Sequence, residues 1–383
     1  MTVLTFEELD QLSQAGDATS AVDKLITALE EQKDYHRLFD ALLLKAKLDM
    51  GLPLIAPSSF ENVPAEKQEE FERHYVEAAR RIGLAFLEAG NIPQAWVYLR
   101  TIREPQPVRE ALDKIDARRE ASEETDELIN VALYEAANPV KGMEILLRVN
   151  GVCNAVTALD QQIHQMEPDD QRAVAALMVR ELYEDLSGTL RSEVEQKLAG
   201  VPAGDTLLEL MNGRDWLFEE GNYHIDVSHL NAVVRFARFL KPGDPELPKA
   251  IELAEYGSRL APQFQYPGDP PFDDFYPAHI QYFKVLADED RDAGIAFFQK
   301  QIDDEPDEQD KPMIAFVLID LLKRIGKTEQ ALELANQYLR GVEEGSSFSF
   351  SELCQQANRL DLLRECARDT GDLVTYAATL LQK

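Results

Sequence analysis

Residues 314–338 read IAFVLIDLLKRIGKTEQALELANQY, and the fold can be decided from this stretch. Ile314, Val317, Leu318, Leu321, Leu322 and Ile325 stand at i, i+3, i+4, i+7, i+8 and i+11, one apolar stripe along an α-helix. Gly326 follows the stripe, and a residue without Cβ readily takes the left-handed conformation that closes a helix. Ala331 and Ala335 then open a second apolar run. The stretch predicts two helices joined by a tight turn.

The same spacing recurs outward along the chain, as in Val174, Leu177, Met178, Leu182 and Leu186. Runs that alternate apolar and polar residues, as a half-buried strand would, are hard to find. Thr5-x-x-Glu8, Ser192-x-x-Glu195 and Ser349-x-x-Glu352 have capping-box spacing, in which hydroxyl and carboxylate each satisfy an orphan amide. The expected class is all-α.

The turn itself repeats. Phe86, Gly90, Asn91, Ala95 and Leu99 match Leu322, Gly326, Lys327, Ala331 and Ala335, and Leu12, Gly16, Asp17, Ala21 and Leu25 match both. Weaker copies run through Leu217, Gly221, Asn222, Asp226 and Leu230, and through Ala367, Gly371, Asp372, Tyr376 and Leu380. A small residue five positions after the Gly lets the second helix approach the first, and an apolar residue four further on fills the same face. These residues resemble the tetratricopeptide repeat, a helix–turn–helix unit of about 34 residues. Ile82 to Pro105 is the best match, with Ile82-Gly83, Phe86, Gly90, Ala95 and Leu99 at the family's signature spacings, and 318–338 is a second. The resemblance implies an α-α superhelix, some of its repeats degenerate, whose concave groove holds a peptide or protein surface. Stacking follows from a physical need, since one helical pair cannot cover its own apolar stripe. The Gly/Pro stretch 199–206 is the expected hinge, between helical halves 1–200 and 205–383 of one array.

Composition narrows the partners. The 383 residues carry 39 Lys+Arg against 70 Asp+Glu, a formal charge of −31. Such a surface repels phosphate, so nucleic acid is not expected as a partner, and the mixed charges of Arg100–Arg119 read as a solvated helix face. A hydrophobic share of 45 % excludes wholesale disorder. The longest uncharged apolar stretch, Pro312–Ile319, falls far short of the roughly 20 residues that cross a bilayer. Met1–Glu8 shows no secretory pattern. Three cysteines without a Cys-x-x-Cys pair argue against a disulfide framework or thiolate zinc. A cytoplasmic chain with no membrane partner and no cofactor is expected.

Residues 216–283 are chemically the most distinctive. Pro-Gly-Asp-Pro occurs at 242–245 and 267–270, where Pro-Gly suits the centre of a type II turn and Asp-Pro the start of a helix. Seven aromatics fall in 264–283, with Asp269, Asp273 and Asp274 among them. The expected role is a non-catalytic docking scaffold for a protein or peptide, with acidic walls favouring a basic partner. Tyr266, Phe272, Phe275 and Tyr276 would give apolar contacts, and Asp273 and Asp274 charge. A packed inter-helix loop is the competing reading of the same stretch. The alternative function is a metal-binding or hydrolytic site in 222–282 built from His224, Asp226, His229 and His279. On one helix the first two imidazoles would point about 140° apart, which favours Asp226 as the cap of a helix beginning near Val227. Gly326-Lys327-Thr328 lacks the strand and the earlier Gly of a phosphate loop. The acidic run 303–310 lacks the central Gly of a calcium loop, and reads as a turn.

Overall fold

The computed structural model describes residues 4–14, 17–198, 204–265, 267–341 and 348–382. The fold is all-α, with no β-strand among the described residues. The chain divides into two compact units, 1–155 and 156–383. No helix among the described residues is long and apolar enough to cross a membrane.

The first unit contains α1 (Phe6–Gln14), α2 (Ala18–Gln32), α3 (Tyr35–Asp49), α4 (Ala65–Glu88), α5 (Ile92–Thr101), α6 (Gln106–Asp113) and α7 (Glu123–Ile129). The last of these runs into a π-helical turn, Asn130–Tyr134. From α1 to α6 each helix packs on the next in sequence. Phe71, Ile82, Ala95, Leu99, Val108 and Leu112 form the centre of its core. Gly83 lets α4 and α5 meet closely, since a Cβ there would fall 2.5 Å from Leu99 Cγ. The 51–64 loop, with its Pro and Ser residues, leaves α3 and returns at α4. It is held by Lys47, fully buried, whose ammonium donates to the carbonyls of Ala56 at 2.9 Å and Ser59 at 2.8 Å. Burial holds that lysine's pKa below its ordinary value.

The helix α8 (Pro139–Gln162) carries the chain into the second unit and is broken at Gly151, whose φ of 82° and ψ of 172° are not helical. There follow α9 (Pro168–Lys197), α10 (Leu207–Met211), α11 (Val227–Phe236), α12 (Leu247–Ser258), α13 (Phe275–Leu286) and α14 (Arg291–Asp304). The unit ends with α15 (Lys311–Arg324), α16 (Thr328–Tyr338), α17 (Phe350–Gln356), α18 (Leu360–Thr370) and α19 (Leu373–Leu381). From α11 onward each helix again packs on its successor, while α9 backs α10, α11 and α12. The 303–310 run lies where α14 gives way to α15, as a turn.

One turn geometry recurs between several of these helices. Gly90, Gly326 and Gly371 have φ of 77°, 77° and 75°. The next residue's N–H then donates five residues back, Asn91 to Phe86 at 2.9 Å, Lys327 to Leu322 at 2.9 Å and Asp372 to Ala367 at 2.8 Å. This is the Schellman closure, which satisfies a helix's orphan carbonyls. Asn91 and Asp372 go on to cap the following helix, accepting from Gln94 and from Val374 and Thr375. Gly221 has φ 76°, but a 3₁₀ turn (Asp215–Gly221) precedes it in place of a full helix. Gly16 lies outside the described residues, as do 199–203 of the expected hinge, whose remaining residues belong to the second unit.

Four further turns close identically without glycine. Lys33, Arg103, Asp288 and Asn358 have φ of 56°, 58°, 64° and 54°. Their successors donate to Leu29, Leu99, Lys284 and Cys354 at 3.0, 2.9, 2.8 and 2.8 Å.

The caps divide. Thr5 and Glu8 make the reciprocal box at 2.9 and 3.2 Å, and Ser349 accepts from the Glu352 amide at 3.0 Å. Ser192 and Glu195 do not start a helix. They lie inside α9, whose buried stripe runs on through Leu190 and Val194. A complete box missed in the sequence joins Thr206 and Glu209 at the start of α10.

Candidate functional site

Asp226 caps α11, its carboxylate accepting from the amides of Ser228 and His229. His229 is therefore in the first turn of that helix, and His224 precedes it. The His224 ring is sealed in. Its Nδ1 lies 3.0 Å from Tyr256 Oη and its Nε2 3.0 Å from Glu193 Oε2, while its backbone N–H donates to Tyr256 Oη at 2.9 Å. With that hydroxyl donating to Nδ1, Nε2–H donates to the carboxylate, and a neutral imidazole is fully satisfied. Burial lowers the His224 pKa against the opposing pull of Glu193, and burial pushes Tyr256 up to about 12. The network ties α9 to α12.

His279 has a separate place, on α13. Among the described residues no three His, Cys, Asp or Glu side chains gather to hold a metal ion. His224, Asp226, His229 and His279 are thus not gathered as a set of metal ligands. Asp226 serves as a helix cap and His224 as a bridge between helices.

The aromatic segment is also corrected. Phe272, Phe275 and Tyr276 are only 4 %, 7 % and 1 % exposed, and Tyr282 and Phe283 are buried with them. Tyr276 sits on Gly257 of α12, where an added Cβ would come within 2.2 Å of its ring. Phe272 stacks on His279 at 4.3 Å and meets Phe298 of α14 at 5.8 Å. These rings fasten α13 between its neighbours and form no exposed face on which a protein could dock. Asp273 and Asp274 do stand exposed, and Tyr266 lies outside the described residues.

The two Pro-Gly-Asp-Pro copies differ in structure. In the first, Gly243 has φ 87° as a type II turn requires, but α12 begins later than expected and Asp244 caps nothing. Its carboxylate is 3 % exposed, accepts the Lys241 amide at 2.7 Å and takes Arg172 Nε at 2.8 and 2.9 Å. Burial pushes that carboxyl up, yet bonds from Arg172 and the Lys241 amide prevail and hold it below its ordinary value. In the second copy Gly268 N–H donates to the Asp273 carbonyl at 3.3 Å and Pro270–Pro271 is cis.

That second copy forms one side of a cavity of about 220 Å³. Arg235 of α11 and Arg238 of the 3₁₀ turn after it (Ala237–Phe239) supply its cations. Phe272, Phe275 and His279 form an aromatic wall, and α15 contributes Val317. His279 Nδ1–H donates to the Phe275 carbonyl at 2.7 Å, while Nε2 is buried without a partner. Burial, with Arg238 and Arg235 nearby, pushes its pKa down to about 3, so the ring is a neutral plate. The two arginines were overlooked in the sequence. The signal was Arg-Phe-Ala-Arg-Phe at 235–239, two cations at i and i+3 interleaved with rings in an acidic chain. Compared with protein-family models, with curated proteins and with solved structures, the chain matches none of them.

Proposed function

We propose that this chain is a tetratricopeptide-like scaffold that docks another protein or peptide and carries out no chemistry itself. One observation carries the reading. On α19, Leu373, Val374, Leu380 and Leu381 are 79 %, 80 %, 56 % and 80 % exposed. They share one helical stripe with the exposed Ala377 and Ala378, while Thr379 is the residue turned inward. A helix normally buries its apolar side. Here that side faces outward, at the last of a row of helices packed in sequence, and such a patch marks a surface that another protein covers. The recurring Schellman turns and the close Gly83–Leu99 approach support the family likeness. The charge of −31 supports a basic partner and fast, salt-sensitive encounter. A cytoplasmic setting is part of the same proposal and rests on composition.

The test is affinity capture by the wild-type chain and by a Leu373→Glu/Leu381→Glu variant with unchanged circular dichroism. A discrete partner, retained by the wild type, weakened by salt and lost with the variant, is expected. Capture of the same proteins by both chains would remove α19 from the docking surface.

A further inference from the structure

The geometry points to the cavity between α11, α13 and α15 as a binding site for a small organic carboxylate, anchored by Arg238. The inference is independent of α19 and its docking role.

The argument is one of charge balance. Arg235 is paired with Asp160 at 2.5 Å. Arg324, on the neighbouring α15, is paired with Asp320 at 2.8 Å and also donates to the carbonyls of Arg238 and Leu240. Arg238 has no such partner. Its guanidinium forms no ion pair and no hydrogen bond among the described residues; it lies over the Phe272 ring, 4.9 Å from its centroid, and the nearby Asp320 is already paired with Arg324. Asp269, at the exposed lip of the cavity, forms no ion pair with it. The Arg238 side chain is only partly buried, so its guanidinium is open to a ligand and has no counter-ion bonded to it. A carboxylate entering the cavity would supply that counter-ion and engage the planar fork through two parallel N–H donors.

The walls choose among anions. Phe272, Phe275, Val317 and the uncharged His279 ring offer flat apolar contact, which an organic body uses and an inorganic ion does not. A volume of about 220 Å³ lies below the ~300–1,000 Å³ of pockets that bury drug-sized ligands, and suits a small molecule. The chemistry fits a monocarboxylate with a small planar or branched body.

The full chain is titrated calorimetrically with benzoate, acetate, inorganic phosphate and uncharged benzamide. Saturable binding of benzoate, weaker acetate, and no binding of phosphate or benzamide are expected. Arg238→Met should weaken benzoate at least tenfold, the worth of a lost charge-assisted pair. In the same variant the ligand-free melting temperature should not fall, because the guanidinium removed makes no ion pair or hydrogen bond in the fold. Arg238→Lys keeps the charge without the fork, and should bind benzoate severalfold more weakly than wild type. Failure of benzoate to bind, equal binding of benzamide, or undiminished binding by Arg238→Met or Arg238→Lys would overturn the proposal. Phosphate binding in preference to benzoate would overturn its assignment to carboxylates.

Discussion

At the residue scale, the most exacting contacts are those where a side chain has no room to exist. Gly83→Ala would place a methyl 2.5 Å from Leu99 Cγ, between two helices that approach closely because of the glycine. Overpacking of this kind costs about 1–3 kcal/mol, and urea unfolding should show it as a lowered midpoint with an unchanged slope. Adding Leu99→Ala should make the double variant lose less than the two single losses summed. His279 makes a different prediction. It is neutral in the fold, with a pKa depressed from 6.5 to about 3, and regains its ordinary pKa on unfolding. The unfolded chain then binds the extra proton, so its contribution is complete above about pH 6.5 and is lost as pH falls from there toward 3. His279→Phe should flatten that part of the stability–pH curve relative to wild type. The two histidines also mark what the sequence could convey. Asp226 as a cap and His229 in the first turn were readable from local spacing. The Glu193–His224–Tyr256 network was not, because its members come from separate stretches of chain.

At the element scale, the apolar stripes sufficed for the helices, since period 3.6 is a property of neighbours in sequence. The turns were legible where glycine marked them, at Gly90, Gly326 and Gly371. They were silent at Lys33, Arg103, Asp288 and Asn358, where an ordinary side chain takes the same left-handed backbone under the same backbone bond. This is why the repeat signature covers less of the chain than the turn geometry does. Left-handed backbone costs an L-residue about 1–2 kcal/mol, part of which glycine gives back through its freer unfolded chain. Lys33→Gly should therefore raise stability by about 0.5–1 kcal/mol, visible as a higher thermal midpoint, because Lys33 is exposed and only its backbone is at issue. The buried rings of 264–283 show the opposite failure. Their abundance suggested a contact surface, but abundance says nothing of direction. The direction was set by Gly257 and Phe298, residues of the flanking helices.

At the scale of the whole molecule, the governing quantity is the charge of −31. Like charges repel across a folded surface, and added salt screens that repulsion over about 10 Å at 0.1 M. Raising NaCl from about 10 to 150 mM should lift the melting temperature by roughly 2–4 °C, about what 1 kcal/mol achieves in units of this size. A fall would mean that the ion pairs now seen on the surface, such as Arg80–Glu104 and Arg340–Asp369, outweigh the excess of acid. Within α8, in the first unit, the chain passes through one residue of unusual liberty. The backbone of Gly151 lies in a territory of dihedral space closed to every chiral amino acid, yet empty space surrounds the position where a methyl would sit. Alanine there would touch no distant part of the fold and would clash only with its own adjoining backbone, so a single hydrogen atom is what permits the long rod to change course.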